Sequence, residues 1–197
     1  MSQPVLRTER LLMLPLADEH LELEVELDSD AEVLRYLWGR ARSRDEVVAS
    51  HAERIGLGQQ VEGLGYWMAF LPDGENDSVP AEFIGLMMLP PDHADGRECD
   101  PKDAALGYRI MRKHWRQGYA SEASAELLRH AFETVGVQRV VADTMAVNAG
   151  SRAVMEKLGM CFVRTYFVEF DDPLPDTDQG EVLYEIARET WSRRLQA

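Results

Sequence analysis

The sequence predicts one α/β domain that spans residues 1–197, with strands and helices packed around a single core. Three observations support this prediction. The chain has 197 residues, of which 45% are hydrophobic and 28% charged, so it is long and apolar enough for one core. Strand-like and helix-like segments alternate along the whole length. No internal repeat and no linker-like stretch divides the chain.

The first half of the chain is predicted to contain three strands and several helical segments. The strands are predicted at Leu11–Leu16, Tyr66–Leu71 and Phe83–Leu89; the first contains Pro15 near its end, and proline follows each of the other two. Asp18 is a candidate cap for a helix that carries Leu21, Leu23 and Leu27. A second short helical piece is predicted at Ala31–Trp38. Ser43 and Glu46 have capping-box spacing, which predicts a helix that runs toward Gln60.

The second half is predicted to contain four strands and two helices. The strands are predicted at Ala105–Ile110, Arg139–Thr144, Cys161–Phe170 and Val182–Ile186. The helices are predicted at Ser121–Val135 and Ser151–Leu158, with Gly136 and Gly159 as their stops. Residues 92–103 are polar and acidic and are predicted to form a surface loop. The spacing of Asp92, Asp95 and Gly96 does not fit a calcium-binding loop.

Composition excludes several classes of function. The net charge of −14 argues against nucleic-acid binding, which needs a basic surface, and favours cationic partners or simple solubility. No run approaches the roughly 18 apolar residues that span a bilayer. Cys99 and Cys161 are too far apart for a metal-binding pair, so no metal site is expected. A cytoplasmic protein without a membrane partner is therefore expected.

The strongest functional signal is a basic segment that runs into a helix. Ala104–Ser121 contains no acidic residue in a strongly acidic chain. Within it, Arg116-Gln117-Gly118-Tyr119-Ala120 forms a turn that opens a helix. The free N–H groups and positive dipole at a helix N-terminus bind phosphates, and small residues let an anion approach the backbone. The alternative is a tight turn beside a solvated basic patch.

Two motifs resemble the GNAT N-acetyltransferase superfamily. Gly107–Ile110 followed by Trp115–Ala123 resembles its coenzyme A motif, and Asn148–Ser151 followed by Glu156–Met160 resembles its second signature. Leu6–Leu11 and Tyr184–Trp191 are similar to the RimJ/RimL-like branch. The resemblance implies a mixed, mostly antiparallel sheet, flanked by helices and splayed at a cofactor crevice between the strands that end near Ile110 and Thr144.

The resemblance also implies a reaction and a binding site. Acetyl-CoA is the implied cosubstrate, no metal is used, and a primary amine attacks the thioester directly. The oligomeric state is left open, with a homodimer as one candidate. The residues implied to bind the cofactor are Tyr108, Ile110, Arg112, Arg116, Gln117, Gly118, Tyr119, Ala120, Ser121, Asn148 and Ser151.

The chain departs from this resemblance at two catalytic positions. Met155 stands where many relatives carry the tyrosine that protonates the leaving thiolate, and Leu106 stands where many carry a glutamate base. Ser151 is the candidate acid or relay hydroxyl, with a helix N-cap as the alternative role. The base is unknown: Asp103 and Asp143 lie near the right segments, and the sequence selects neither.

Three functions follow as alternatives. The first is an active N-acetyltransferase for a small amine or a protein N-terminus, with a cationic acceptor favoured by the acidic chain. The second is a catalytically weak acyl-CoA binding module, and the third is an interaction protein with a vestigial site. The aromatic residues Tyr36, Trp38 and Trp67 are predicted either to line an acceptor pocket or to be core.

Overall fold

The computed structural model describes residues 3–92, 102–169 and 171–194. Its strands are β1 (Leu6–Arg7), β2 (Leu12–Pro15), β3 (Gly65–Asp73), β4 (Asn76–Leu89), β5 (Asp103–Ala105), β6 (Gly107–Ile110), β7 (Arg139–Met145), β8 (Cys161–Tyr166) and β9 (Glu181–Ala187). Its α-helices are α1 (Leu21–Asp28), α2 (Arg44–Leu57), α3 (Tyr119–Arg129), α4 (Ala149–Leu158) and α5 (Arg188–Arg194). A π-helical turn, His130–Val135, extends α3.

The strands form two sheets that meet at β5 and β6. The first sheet has the order β1-β2-β3-β4-β6, and every neighbouring pair in it is antiparallel. The second has the order β5-β7-β9-β8, in which only β5 and β7 are parallel. This confirms the predicted α/β fold with a mixed, mostly antiparallel sheet flanked by helices.

The two sheets separate at Leu106, which interrupts the strand predicted at Ala105–Ile110. The Leu106 amide still donates to the Val141 carbonyl at 2.7 Å. β5 already lies beside the residues that follow β4, where the Ala105 amide donates to the Pro90 carbonyl at 2.9 Å, and from Gly107 onward the chain pairs with β4 itself, opposite Met88. No pairing between β6 and β7 is present in the described residues. The predicted splay is confirmed, because the chain stays beside β4 but separates from β7 after Leu106, which leaves a crevice.

A glycine on β4 permits the close approach of β6. Gly85 lies opposite Ile110 in the antiparallel register. A Cβ atom at Gly85 would lie 2.1 Å from the carbonyl oxygen of Arg109, far inside van der Waals contact. Glycine therefore sets the backbone spacing on this side of the crevice.

Apolar residues pack on both faces of the first sheet. On one face, Leu127 and Phe132 pack against β3 and β4 residues such as Trp67. On the other face, Leu27 of α1 packs with Met68 and Leu86. Side chains alternate across a strand, so neighbouring residues of β6 and β7 must point to opposite faces of the crevice.

The sequence correctly predicts the local signals of several helices. Ser43 and Glu46 form the expected reciprocal capping box at the start of α2. Gly159 is the C-cap of α4, as expected. The segment Ala31–Trp38, predicted as helical, instead forms successive turns. The Leu34 carbonyl there accepts from Leu37, Trp38 and Gly39 amides together, a pattern that does not propagate as an α-helix.

Two further predictions extend onto residues that the structure does not describe. The strand predicted at Cys161–Phe170 ends at Tyr166, and Phe170 lies outside the described residues. The predicted loop 92–103 falls mostly on residues 93–101, which also lie outside, together with Cys99. Within the described ranges, none of the helices is both long and apolar enough to cross a membrane.

Candidate active site

A cavity of about 870 Å³ fills the crevice between β6 and β7. At one end it reaches the turn before α3, and at the other it reaches the segment after α1. It brings together nine of the predicted cofactor residues: Tyr108, Ile110, Arg116, Gly118, Tyr119, Ala120, Ser121, Asn148 and Ser151. The cavity is large enough for an elongated ligand.

The N-terminus of α3 opens onto this cavity without a side-chain cap. Gly118 is the N-cap at φ +85°, in the left-handed region that glycine favours. The first intrahelical donor is Glu122, whose amide donates to the Gly118 carbonyl at 3.0 Å. No described side chain caps this helix, so the N–H groups of its first turn remain available to an anion. The arrangement fits a phosphate-bearing ligand.

Arg10 and Glu122 brace this turn from outside. Arg10 donates from Nε to Glu122 at 2.6 Å and from its guanidinium to the Gln117 carbonyl at 3.0 Å. Burial alone would raise the pKa of Glu122, but hydrogen bonds from Thr8 and Arg10 outweigh it and lower that pKa. The sequence reasoning missed this pair, because 112 positions separate its members and no local pattern links them.

The predicted basic residues divide between the cavity and its surroundings. Arg116 lines the cavity and adopts φ +61°, a backbone conformation that is uncommon for non-glycine residues. Arg112 lies outside the lining, and its Nε forms an ion pair with Asp30 at 3.0 Å. Gln117 also lies outside, and its side chain donates to the Lys113 carbonyl at 3.2 Å.

A hydroxyl pair lies at the start of α4. The Tyr108 hydroxyl donates to Ser151 Oγ at 3.1 Å. Burial raises the pKa of Tyr108 despite the opposing effect of this hydrogen bond, so its phenol stays protonated. The N-cap role considered for Ser151 belongs instead to Asn148, whose side chain accepts from the Ser151 amide at 3.2 Å. The Ser151 hydroxyl is therefore not used for capping.

The two catalytic departures are apolar walls of the same cavity. Met155 and Leu106 both line it and are both buried. Neither side chain can transfer a proton. Any acid or base in the crevice must therefore come from other positions.

The two candidate bases lie in different surroundings. Asp103 is held by Arg139 through bonds of 2.5 and 3.1 Å to a single carboxylate oxygen. It does not line the cavity. Asp143 does line the cavity and accepts a hydrogen bond from the Tyr166 hydroxyl at 2.6 Å.

The opposite end of the cavity is formed by the segment after α1. Glu32, Val33, Tyr36 and Leu37 line it. Of the three aromatic residues predicted for an acceptor pocket, Tyr36 alone is part of this lining. Trp67 is core, and its indole donates to the Pro4 carbonyl at 2.9 Å. Trp38 is half exposed and lies against the Arg42 guanidinium, 4.9 Å from its ring centre.

A buried ion cluster links the segment after α1 to β6. Asp28, at the end of α1, accepts from Arg42 at 3.2 Å and also from Arg109 of β6. All three side chains are nearly inaccessible to solvent. Burial, followed by the charge of Arg54, lowers the pKa of Arg109. The cluster holds the segment after α1 against β6, the strand that borders the crevice.

Comparisons with known proteins agree with this geometry. Residues 10–161 match the family described as the acetyltransferase (GNAT) domain. An "FsC-acetyl coenzyme A-N(2)-transacetylase" of Aspergillus fumigatus is 36% identical over 195 residues, covering 98% of this chain and 80% of that protein.

Solved structures share the fold at lower identity. Spermidine N-acetyltransferase from Vibrio cholerae, in complex with CoA and spermine, has a TM-score of 0.71 at 15% identity, covering 93% of this chain and 98% of that one. RimL, a ribosomal alpha-N-protein acetyltransferase in complex with coenzyme A, has a TM-score of 0.73 at 17% identity, covering 95% and 99%. The family match and the fungal relative together show that this chain belongs to the GNAT acetyltransferases, enzymes that use acetyl-CoA as cosubstrate.

Proposed function

We propose that this single-domain enzyme transfers the acetyl group of acetyl-CoA directly to a primary amine. One observation carries the proposal: a single cavity connects an uncapped helix N-terminus to an acceptor-side opening. Both reactants can therefore occupy one crevice, and aligning them supplies much of the rate.

The cofactor's phosphates would lie at the turn Arg116–Ser121. The amides of Tyr119, Ala120 and Ser121 belong to the uncapped first turn, and Arg116 adds a charge-assisted contact. The pantetheine arm would run along β6. That strand pairs with β4 on one edge, whereas its other edge faces the crevice. Backbone groups at Tyr108 and the amide of Ile110, whose carbonyl already accepts from the Trp115 indole at 2.8 Å, would bond an extended amide chain. Asn148 would complete the cofactor site from the start of α4.

Ser151 is the proposed proton donor to the leaving thiolate. Its oxygen accepts from Tyr108, so the hydroxyl proton of Ser151 is free to be donated elsewhere. Tyr108 can then stabilise the oxygen as the proton leaves. A hydroxyl pair would in this way replace the tyrosine that is absent at Met155.

The acceptor is proposed to be a cationic amine. Glu32 and Asp143 place carboxylates on the acceptor side of the cavity, and the whole chain carries −14. Asp28 is buried in the ion cluster and does not contribute to this negative charge. The Vibrio cholerae neighbour contains spermine, whereas RimL acts on a protein N-terminus by its name. The open end of this cavity would admit either a small amine or a protein N-terminus. Membership of a RimJ/RimL-like branch stays part of this proposal.

A weakly catalytic acyl-CoA binding module is the second candidate. The observation that favours it is the apolar pair Met155 and Leu106 at positions that are catalytic in many relatives.

A homodimer is also proposed. The exposed apolar side chains Phe162, Val163 and Phe167 in and after β8 would be covered by a second copy. The cytoplasmic location stays an expectation from the sequence.

The deciding experiment measures thiol release from acetyl-CoA with a panel of primary amines. The panel contains cationic small amines, anionic amino acids and peptide N-termini. We expect turnover with at least one cationic amine, and a preference for cations over anions that weakens at high salt. A coenzyme A-dependent rise in Tm without turnover would favour the binding module, and no rise at all would contradict the cofactor site. An unchanged preference at high salt would contradict the cationic acceptor.

A further inference from the structure

Asp143 lies on the face of the crevice from which an acceptor would enter. On β7, Val140 and Ala142 point into the core beneath α3 and α4. Because side chains alternate, Asp143 points to the opposite face. Ala105 of β5 lies opposite Val141 in the parallel register, so the two side chains share a face. Arg109, four positions further along the chain, lies on that same face, and its side chain reaches Asp28 of α1. The face that Asp143 shares is therefore the face of the acceptor-side segment.

The Asp143 carboxylate is held in place and is still able to bind a ligand. One of its oxygens accepts from the Tyr166 hydroxyl at 2.6 Å. Within the described residues no arginine or lysine pairs with it. It differs in this from Asp103, whose charge is neutralised by Arg139 at 2.5 Å. A fixed carboxylate without a cationic partner, at the wall of the reaction cavity, is suited to receive an ammonium group.

The groups that surround Asp143 leave the site negative. Tyr166 of β8 pairs with Glu181 of β9, and Glu181 lies opposite Met145, on the same face as Asp143. Burial, followed by the charge of Asp143, raises the pKa of Glu181 to about 7. The charge of Arg164 on β8 acts on Tyr166, while Ala105 of β5 and the following Leu106 are apolar. A cation that enters here meets one or two negative charges.

We propose that Asp143 binds the ammonium group of the acceptor and removes its proton, and that Tyr166 positions this carboxylate. The inference rests on the proposed function and supplies the base that the sequence could not select. An alkylammonium has a pKa well above neutrality and must lose a proton before it can attack.

The proton balance is complete. The ammonium gives one proton to Asp143, which later passes it to water. The neutral nitrogen forms a bond to the acetyl carbon as the carbon–sulfur bond breaks. The nitrogen releases its second proton to water as the amide forms. Ser151 gives its proton to the sulfur and regains one from water. The products are the amide and free coenzyme A.

The test compares Asp143→Asn with Tyr166→Phe and the control Glu185→Gln. Asparagine keeps the size of the side chain and an oxygen that can accept from Tyr166. Glu185 lies on the same sheet face and outside the cavity, so its replacement removes one charge there without touching the site. Circular dichroism and Tm verify folding of each variant.

The measured quantities are kcat, its pH profile and the Kd for coenzyme A. Asp143→Asn should lower kcat at pH 7 by roughly 100-fold or more, the scale of base catalysis, with partial recovery at high pH where free amine is abundant. Tyr166→Phe should lower kcat by roughly 3- to 10-fold, because the carboxylate loses the donor that positions it. Both should leave the Kd for coenzyme A unchanged, and Glu185→Gln should behave as the parent. Turnover of Asp143→Asn within about twofold of the parent, with the same pH profile, would overturn the assignment.

A binding measurement keeps the assignment testable if no amine is acetylated. Isothermal titration of 1,4-diaminobutane into the coenzyme A-loaded protein should show about tenfold weaker binding for Asp143→Asn than for the parent. Equal diamine affinity would overturn the role of Asp143. Failure of the proposed function appears instead as absence of turnover in the parent.

Discussion

Removal of the Asp28 carboxylate should strongly destabilise the fold. In Asp28→Asn, Arg42 and Arg109 keep their buried positions and lose their shared anion. Removing one partner of a buried pair costs about 3–5 kcal/mol, because an uncompensated charge remains. The full stability of a domain is roughly 5–15 kcal/mol, so the loss is a large fraction of it. For a chain of this size the expected fall in Tm is roughly 6–20 °C.

The control is an ion pair of the same chemistry at the surface. Glu22 and Arg44 lie 2.6 Å apart, with 70% and 56% of their side chains exposed. Glu22→Gln should therefore cost no more than about 1 kcal/mol, because water and salt screen the pair. Thermal melts and urea titrations of both variants provide the comparison. If Asp28→Asn loses no more stability than Glu22→Gln, the buried cluster does not stabilise the fold.

Three further predictions concern the crevice. Gly118→Asp should abolish coenzyme A binding in isothermal titration, whereas Gly118→Asn, which adopts the left-handed region and is uncharged, should bind measurably; unchanged affinity in the aspartate variant would contradict the phosphate site. Ser151→Ala should lower kcat by roughly tenfold or more and change the Kd for coenzyme A little, and equal turnover at full cofactor occupancy would remove the proton-donor role. The pKa of Glu181 is raised from 4.5 to about 7 in the folded protein. The contribution of this carboxyl to the free energy of unfolding is therefore fully present below pH 4.5 and is lost as the pH rises through 7. Glu181→Gln should therefore raise Tm relative to the parent more at pH 8 than at pH 5, and equal differences at the two pH values would contradict the shift.

Patterns within a few residues determined much of the fold and the position of the phosphate turn. Two such patterns are the capping box at Ser43 and Glu46 and the helix stop at Gly159. Both depend only on residues within four positions, so they can be predicted from the sequence alone. The same holds for the glycine turn at Gly118, where a basic segment meets a helix start. Motif spacing then identified the family before any contact was known.

Contacts between distant segments decided the rest. Leu106 is predicted as part of one strand because its residue type suits a strand. The strand divides there because the chain separates from β7 while it stays beside β4. Arg10 reaches Glu122 across 112 positions, and Asp28 is buried by residues 14 and 81 positions away. Sequence patterns predict that charged residues lie at the surface, and only the tertiary packing shows which of them are buried.

The choice between Asp103 and Asp143 shows the same limit at the site itself. Both are aspartates at strand positions, and composition and periodicity treat them alike. The paired register of β5 and β7 places Arg139 against the first, and the return of β8 places Tyr166 against the second. The sequence by itself determined the family, the cosubstrate and the glycine turn that opens α3, because these depend on local spacing. Which carboxylate lines the cavity was decided by tertiary structure alone, because it depends on which strand lies beside which.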